Sequence, residues 1–554
     1  MSDTPTNPYP DEKDTTDYQI SRSHAWRIAL YFFPVITLLP LSHHLIQAFR
    51  GKGAETPAAK LFSWRPSAGP LLTRLHEVEK STDKAGYATF IRQTTQSLLT
   101  YFGGEGNRKV YVGSGDWLYY QPELTALHGW GPLKREPFSP MKDPSVAKLR
   151  MAKDVVLEYA AQLKERGVPL LLVPVPVKAM IYPEYLAIGR FKEPLYHPDQ
   201  KALYDQFRAA GIDVMDLSEE MWKLKYRMQI FLQQDTHWTP DVMKLMAEHL
   251  NKHIRTQYPQ AVKEPLESPL VNPRIIDRSS YGDLVGLLDV TAPQFIFGKE
   301  EATLVSIQGL DPSPKSPIAV LGDSFVNVFD DPALGFTPED GTAKDERIKA
   351  GLANQLAVLL NQPLDVFAVN GGGATPARRD FARRFDDEVR AKKLVVWVIA
   401  CRDLLLSPSA ARDANVTWER VEFNPKTSDG SAPAVATTPT PDTKIIIEAK
   451  LVEKSKLQDA GGTPYTHALH TANYELQKVV SGTFASTDWL ALQWTFKNKE
   501  NQPTASATPG KIYRLTLVPE SAAPPEAKSV NTSDDFTDRF TAERFFVEQI
   551  EEVK

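Results

Sequence analysis

Two short stretches of the chain hold the residue types that acyl transfer needs. In QQDTHWTP (233–240) Asp235 lies two residues before His237, and LGDSF (321–325) presents Ser324 after Gly322 and Asp323. A serine hydroxyl is a weak nucleophile until a neutral imidazole takes its proton. The imidazole in turn needs its other nitrogen held by a third group. Asp235 is placed to hold His237, and Gly322 lets the backbone turn tightly before Ser324. The backbone N–H of Ser324, with a second donor from NGGGA (370–374) around Asn370 and Gly371, suits a developing oxyanion. Neither tripeptide is specific alone, since Gly-Asp-Ser is ordinarily a turn and Asp-x-His a polar loop.

The elements that must position these residues read as α/β between about 105 and 410. KVYVGSGDWLYY (109–120) alternates like a strand pair around a glycine turn. Helical spacing over 144–167 ends at Gly167, and the apolar run 168–177 suits a buried parallel strand. A helix carrying Leu203 and Phe207 stops at Gly211, before the strand 212–217. Thr239 and Pro240 suit the cap and first residue of the next helix, which leaves Asp235 and His237 in the loop before it. Further strands are predicted at 316–325, 364–369 and 393–400, with helices over 348–361 and 375–391. Strands alternating with helices imply a mostly parallel sheet with helices on both faces. Active sites of such sheets form outside the carboxyl ends of the strands, where Ser324, Asn370 and Gly371 all fall. Lys178 and Arg402 also follow strand ends, where they suit either a substrate carboxylate or sugar hydroxyl, or a structural ion pair. Trp117, Tyr119, Tyr120, Trp238 and Tyr281 lie near the motifs and suit sugar stacking or ordinary packing.

At 554 residues the chain is too long for one ordinary core. Residues 1–24 read as a disordered polar leader and 25–49 as an N-terminal transmembrane signal anchor. The apolar core of that anchor, from Ile28 to Leu41, reaches the roughly 20 residues of a bilayer span only when extended through Phe49. A helical connector follows over 50–104, then the α/β domain over 105–423. A Pro/Ser/Thr-rich linker over 424–443 leads to short strand-like runs at 444–554, which read as a β-sandwich or barrel. A net charge of -5 with no basic stripe excludes a nucleic-acid footprint. The single cysteine, Cys401, excludes an internal disulfide framework. His249 and His253 have a zinc-compatible spacing, but no third ligand suggests itself. They and the pair His467 and His470 read as surface histidines, so neither a metal nor a cofactor is expected.

DTHWT (235–239), LGDSF (321–325), GSGDWLYY (113–120) and PVPVKAMIYPE (174–184) together resemble the alginate O-acetyltransferase family of AlgJ/AlgX type. YGDLVGLL (281–288) and VVWVIACRDL (395–404) fit as well. The resemblance covers about 105–410 and implies an SGNH-hydrolase-like domain in permuted order, with the Asp-His pair ahead of the serine. It implies a triad of Ser324, His237 and Asp235 that moves acetyl groups onto an exported polysaccharide in the periplasm. It further implies an acetyl donor supplied by a membrane-bound O-acyltransferase. The polymer is open between alginate, cellulose and related acceptors. Open too are an esterase using the same triad and a non-catalytic polysaccharide-binding scaffold of an export complex.

Overall fold

KVYVGSGDWLYY folds as an antiparallel pair, β1 (Val110–Val112) and β2 (Leu118–Tyr120), with Val110 opposite Tyr120. The computed structural model that places it describes residues 86–553 apart from 135, 137–148, 188, 263–271, 309, 332–333, 337–347, 428–443, 461–462, 464, 487, 528–529, 535, 537–538 and 540–541. The chain divides into two units after Ser97. Of the first unit only 86–97 are described, within a helix Gly86–Gly103 in the expected connector. The leader, the anchor at 25–49 and most of the linker lie outside the described residues, among which no helix is long and apolar enough to cross a membrane.

The continuous apolar runs become β3 (Leu170–Val175) and, after the two-residue β4 (Asp213–Val214), the later strands of one parallel sheet. A long antiparallel hairpin intervenes, β5 (Asn272–Ser280) with β6 (Glu300–Gln308). Then come β7 (Ile318–Gly322), β8 (Asp365–Ala368) and β9 (Leu394–Ala400). The sheet order is β4-β3-β9-β7-β8, every neighbour parallel. β9 enters last and fills the centre, and all seven of its residues are buried, as a strand covered on both faces requires. Helix Ala152–Glu165 turns Val155, Val156, Tyr159 and Leu163 inward, and helix Pro240–Gln257 does the same with Val242, Met246, Leu250 and Ile254.

Two details depart from the sequence reading. The helix expected over 375–391 divides into Pro376–Ala382 and Asp386–Arg390, because Phe385 is extended and its N–H donates to the Glu388 carboxylate at 3.2 Å, starting a new helix. The β5–β6 hairpin had no counterpart, since nearly twenty residues, including helix Asp283–Leu288, separate strands that register Ser280 against Glu300.

The C-terminal part is a closed barrel. Its strands are β10 (Ile445–Lys454), β11 (Ala468–Ser481), β12 (Trp489–Lys497), the short β13 (Glu500–Asn501), β14 (Ile512–Pro519), the short β15 (Thr532–Ser533) and β16 (Glu543–Glu552). β10 pairs with β11 and β14, β14 with β16, β16 with β12, and β12 with β11, which closes the ring. His470 corrects the surface reading. Period-two alternation puts it on the face of Ala472 and Tyr474, wholly buried, with Nδ1 3.0 Å from Thr495 Oγ1 and Nε2 3.1 Å from Gln493 Nε2. Burial presses its imidazole down to about 3. His249 and His253 instead pair with Glu220 and Asp213, at 3.0 and 2.6 Å.

The barrel meets the α/β domain at a buried charge cluster. Asp534 accepts from Arg383 Nη2 at 3.2 Å and from Arg544, with Arg379 Nη1 at 3.9 Å, while Thr471 donates to its other oxygen at 2.9 Å. These contacts outweigh the desolvation that would raise its carboxyl, and hold it well below the usual range. Asp534→Ala leaves three guanidiniums facing one another with only Asp380, 3.1 Å from Arg383 Nη1, as a remaining counter-charge. It is expected to cost about 3–5 kcal/mol of stability, read as a lower unfolding transition in calorimetry; an unchanged transition would mean the cluster contributes nothing.

Candidate active site

A tight reversal of the chain presents the Asp-His pair. Phe231 bridges to Trp238, Leu232 N–H donates to His237 C=O at 3.1 Å, and Thr239 N–H donates to Ile230 C=O at 2.9 Å. The turn between has few backbone partners of its own, so acids from elsewhere satisfy it. The Glu300 carboxylate at the start of β6 accepts the N–H groups of Gln233 and Gln234 at 2.8 and 2.5 Å. Asp283 accepts the Thr236 N–H at 2.8 Å and the Thr236 hydroxyl at 2.6 Å.

Asp235 is oriented on both sides. Its Oδ1 accepts from His237 N at 3.0 Å and from His237 Nδ1 at 2.6 Å, while its Oδ2 accepts the Asp283 N–H at 2.9 Å. An ionised carboxylate only accepts, so Nδ1 carries the proton and Nε2 is the basic nitrogen. Nε2 is buried with no hydrogen-bond partner among the described residues. The His237 ring sits 4.9 Å, centroid to centroid, from the Phe325 ring beside Ser324.

Ser324 opens the short helix Ser324–Asn327 at the carboxyl end of β7. Asp323 fixes that end: Oδ1 accepts from Phe325 N at 2.9 Å and Oδ2 from Ala400 N, at the end of β9, at 3.1 Å. A Cβ at Gly322 would lie 2.3 Å from Val326 Cγ2 and 3.2 Å from Val398 O, so the close turn requires glycine there. The Ser324 hydroxyl is 3.3 Å from the phenol of Tyr465, a residue of the barrel. Exposures of 1% for Ser324, 2% for Asp235 and 3% for His237 place all three inside the protein.

Burial alone would lower the His237 imidazole, but the Asp235 charge, helped by Asp283 and Asp323, outweighs it and raises the group above its ordinary value. Burial pulls Asp235 the other way, and the attraction and hydrogen bond of His237 hold its carboxyl below the usual range. Burial and the neighbouring Asp235 charge push Asp283 up to about 6. These three residues bring possible metal-ligand atoms within 4.8 Å of one another. Those of Asp235 and Asp283 are already engaged in hydrogen bonds to His237, Thr236 and backbone, an arrangement built to hold an imidazole.

The other sequence-predicted residues divide. Gly371 and Arg402 line a cavity beside Ser324 together with Asp283, Asp323 and Tyr465. Asn370 packs beneath it, donating to Asp331 Oδ2 at 2.8 Å and accepting from Asn327 Nδ2 at 3.1 Å. Lys178 lies outside that wall, fully buried, its ammonium donating to Leu118 O and Gln233 O at 2.8 Å each. It clasps β2 to the histidine loop. Trp238 is likewise core, edge-on to the Phe325 ring at 5.3 Å, and the half-buried Tyr281 packs on the cluster of Val110 and Leu118. Sequence reasoning missed the acids around Arg402. Glu123 lies 3.2 Å and Asp403 3.4 Å from its guanidinium, and burial raises each carboxyl to about 7 against the pull of Arg402. It also missed Asp283, although the motif YGDLVGLL contains it.

Residues 110–401 match the family described as "SGNH hydrolase-like domain, acetyltransferase AlgX". Over 155 residues the chain is 34% identical to "Probable alginate O-acetylase AlgJ" of Pseudomonas aeruginosa, covering 27% of this chain and 34% of that one. Its counterpart in Pseudomonas putida is 32% identical over 157 residues, 28% of this chain and 36% of that one. The chain thus spans about a third of the length of these curated relatives. Among solved structures, "O-Acetyltransferase Domain of Pseudomonas putida AlgJ" aligns with 53% of this chain and 91% of its own, at 21% identity and a TM-score of 0.39.

The electrostatics of the pair are testable directly. Selectively labelled His237, followed by NMR, should titrate above the ordinary value of about 6.5. In Asp235→Asn the midpoint should drop by about one to three units, because burial then acts with its main counter-charge removed. A midpoint that does not move would show that Asp235 does not set the charge state of His237.

Proposed function

The chain belongs to the AlgJ/AlgX-type family of SGNH hydrolase-like O-acetyltransferases, and on that premise we propose that it moves acetyl groups onto hydroxyls of an exported polysaccharide through an acetyl ester of Ser324. The observation that carries this reading is the Asp235–His237 contact of 2.6 Å, which leaves a basic Nε2 buried and unpartnered next to the turn that bears Ser324. The polymer is alginate, cellulose or a related chain. The donor group arrives through a membrane-bound O-acyltransferase, and the catalytic domain works in the periplasm.

The chemistry follows from the roles these groups can play. His237 Nε2 takes the Ser324 proton as Oγ attacks the carbonyl carbon of an acetyl donor. The oxyanion is met by the backbone N–H of Ser324 and a donor from Asn370–Gly371. As the carbonyl re-forms, the leaving group departs with the proton from His237, and an acetyl-serine remains. A sugar hydroxyl then loses its proton to Nε2 and attacks the same carbon; the Ser324 oxygen leaves and recovers that proton. Asp235 holds the imidazole in one tautomer throughout and stabilises the imidazolium formed in each half.

The deciding experiment gives the purified full chain a chromogenic acetyl ester with and without candidate oligosaccharides, wild type against Ser324→Ala. The expected result is acetyl on a sugar by mass spectrometry, with release falling by at least about 10³-fold in Ser324→Ala. Release to water alone would make the protein an esterase. Equal inertness of both proteins on every ester and sugar would return the domain to a binding scaffold. Because His237 must be neutral to act, wild-type kcat/KM should fall as pH drops through its raised pKa, and Asp235→Asn should cost on the order of 10³–10⁴-fold.

A further inference from the structure

A nucleophile that is 1% exposed cannot meet a donor or a sugar, and Tyr465 of the C-terminal barrel is in contact with its hydroxyl. Tyr465, in the connection from β10 to β11, lies beside Ser324 at the carboxyl end of the parallel sheet. The Tyr465 ring lies on Gly371, where a Cβ would stand 2.3 Å from Tyr465 Cε2, so only glycine lets the ring seat. Lys499 fastens the segment from the barrel side, its ammonium donating to Ala460 O at 2.9 Å and to Thr463 O. Gln458, Thr463 and Asn531 join Tyr465 in the wall of the cavity.

That cavity holds only about 40 Å³, a few times the roughly 10–15 Å³ that one water needs and far below the ~300–1,000 Å³ of ligand pockets. Ser324 is not among the residues lining it, and its hydroxyl has a phenol for partner while His237 Nε2 has none among the described residues. An acceptor hydroxyl attacking an acetyl-serine must come within about 3–3.5 Å of the reacting carbon. The Tyr465 oxygen is 3.3 Å from Ser324 Oγ, the atom to which that carbon would be bonded. The barrel's construction points the same way. Its ring runs first-second-third-fifth-fourth-first, with the third and fifth strands parallel, as in OB barrels. Such barrels take oligosaccharides and oligonucleotides on the loops between strands one and two and between four and five. Here those loops carry Tyr465 and Asn531 to the cavity.

We propose that Tyr465 is a gate supplied by the C-terminal barrel: it engages the Ser324 hydroxyl, which is not hydrogen-bonded to His237 Nε2, and holds the place of the acceptor hydroxyl until a saccharide segment on the barrel loops displaces it. This rests on Ser324 being the nucleophile. Burial raises the Tyr465 phenol, so it stays protonated, and either hydroxyl of the Tyr465–Ser324 contact can be the donor. Closed, the gate keeps the donor from Ser324 when no polymer is present, so an acyl-enzyme forms only with an acceptor at hand, which favours transfer over hydrolysis.

The rate at which phenylmethanesulfonyl fluoride labels Ser324, read by peptide mass spectrometry on the full chain, tests this without an acceptor. Tyr465→Ala should label about tenfold or more faster than wild type, as expected if the closed state holds at least about nine-tenths of the molecules. Tyr465→Phe, which keeps the ring but not the hydrogen bond, should be intermediate. Lys499→Met frees the segment with Tyr465 intact and should also label faster, which keeps the test sound if Tyr465→Ala fails to fold. Variants that label at or below the wild-type rate overturn the gate. No label on Ser324 in any of the four proteins overturns the nucleophile assignment itself, and the gate with it.

Discussion

Nearly everything at the site depends on keeping one buried carboxylate charged. Asp235 sits where burial alone would protonate it, and three hydrogen bonds, from His237 N, His237 Nδ1 and Asp283 N, hold it ionised. A protonated Asp235 would no longer fix the proton on Nδ1, and the basic nitrogen would no longer be Nε2. The rest of the loop serves this contact. Glu300 and Asp283 satisfy the backbone of a turn that cannot satisfy itself, and Lys178 ties the same turn to β2. Substitutions in these supporting residues act on the imidazole without touching substrate.

The same crevice concentrates acids that cannot all ionise. Burial raises Glu123 and Asp403, beside the Arg402 guanidinium, each to about 7, and burial with the Asp235 charge raises Asp283 to about 6. Burial alone would lower Arg402, but Asp403 and Glu123 outweigh it and keep the guanidinium charged. It is therefore a fixed cation at the cavity wall in a region otherwise poor in positive charge. The parallel sheet makes this crowding possible. With β9 inserted between β3 and β7, the ends of several strands open into one place, and side chains from separate parts of the chain meet there.

The barrel changes how the α/β domain is to be understood. Its docking through Asp534, Arg379 and Arg383 and the reach of its first loop make it part of the wall around Ser324.

Much of this was legible in the residues. The apolar runs at 170–175, 318–322 and 394–400 had to be buried parallel strands, because nothing in them offers a polar face. Asp235 and His237 are two apart, so one turn of backbone brings them together, and Ser324 follows a strand end directly. Those relations are local, and local spacing sets them. The tertiary structure alone decided the rest. Asp283 is 48 residues from the Asp235 it supports, Glu300 is 67 from the Gln233 it caps, and Tyr465 is 141 from Ser324. Lys178 and Trp238 read as site residues from their position and became buried supports once the elements packed. No periodicity encodes such pairings, because which loops meet depends on the order of strands in the sheet and the closure of the barrel, and both are settled by contacts across the whole fold.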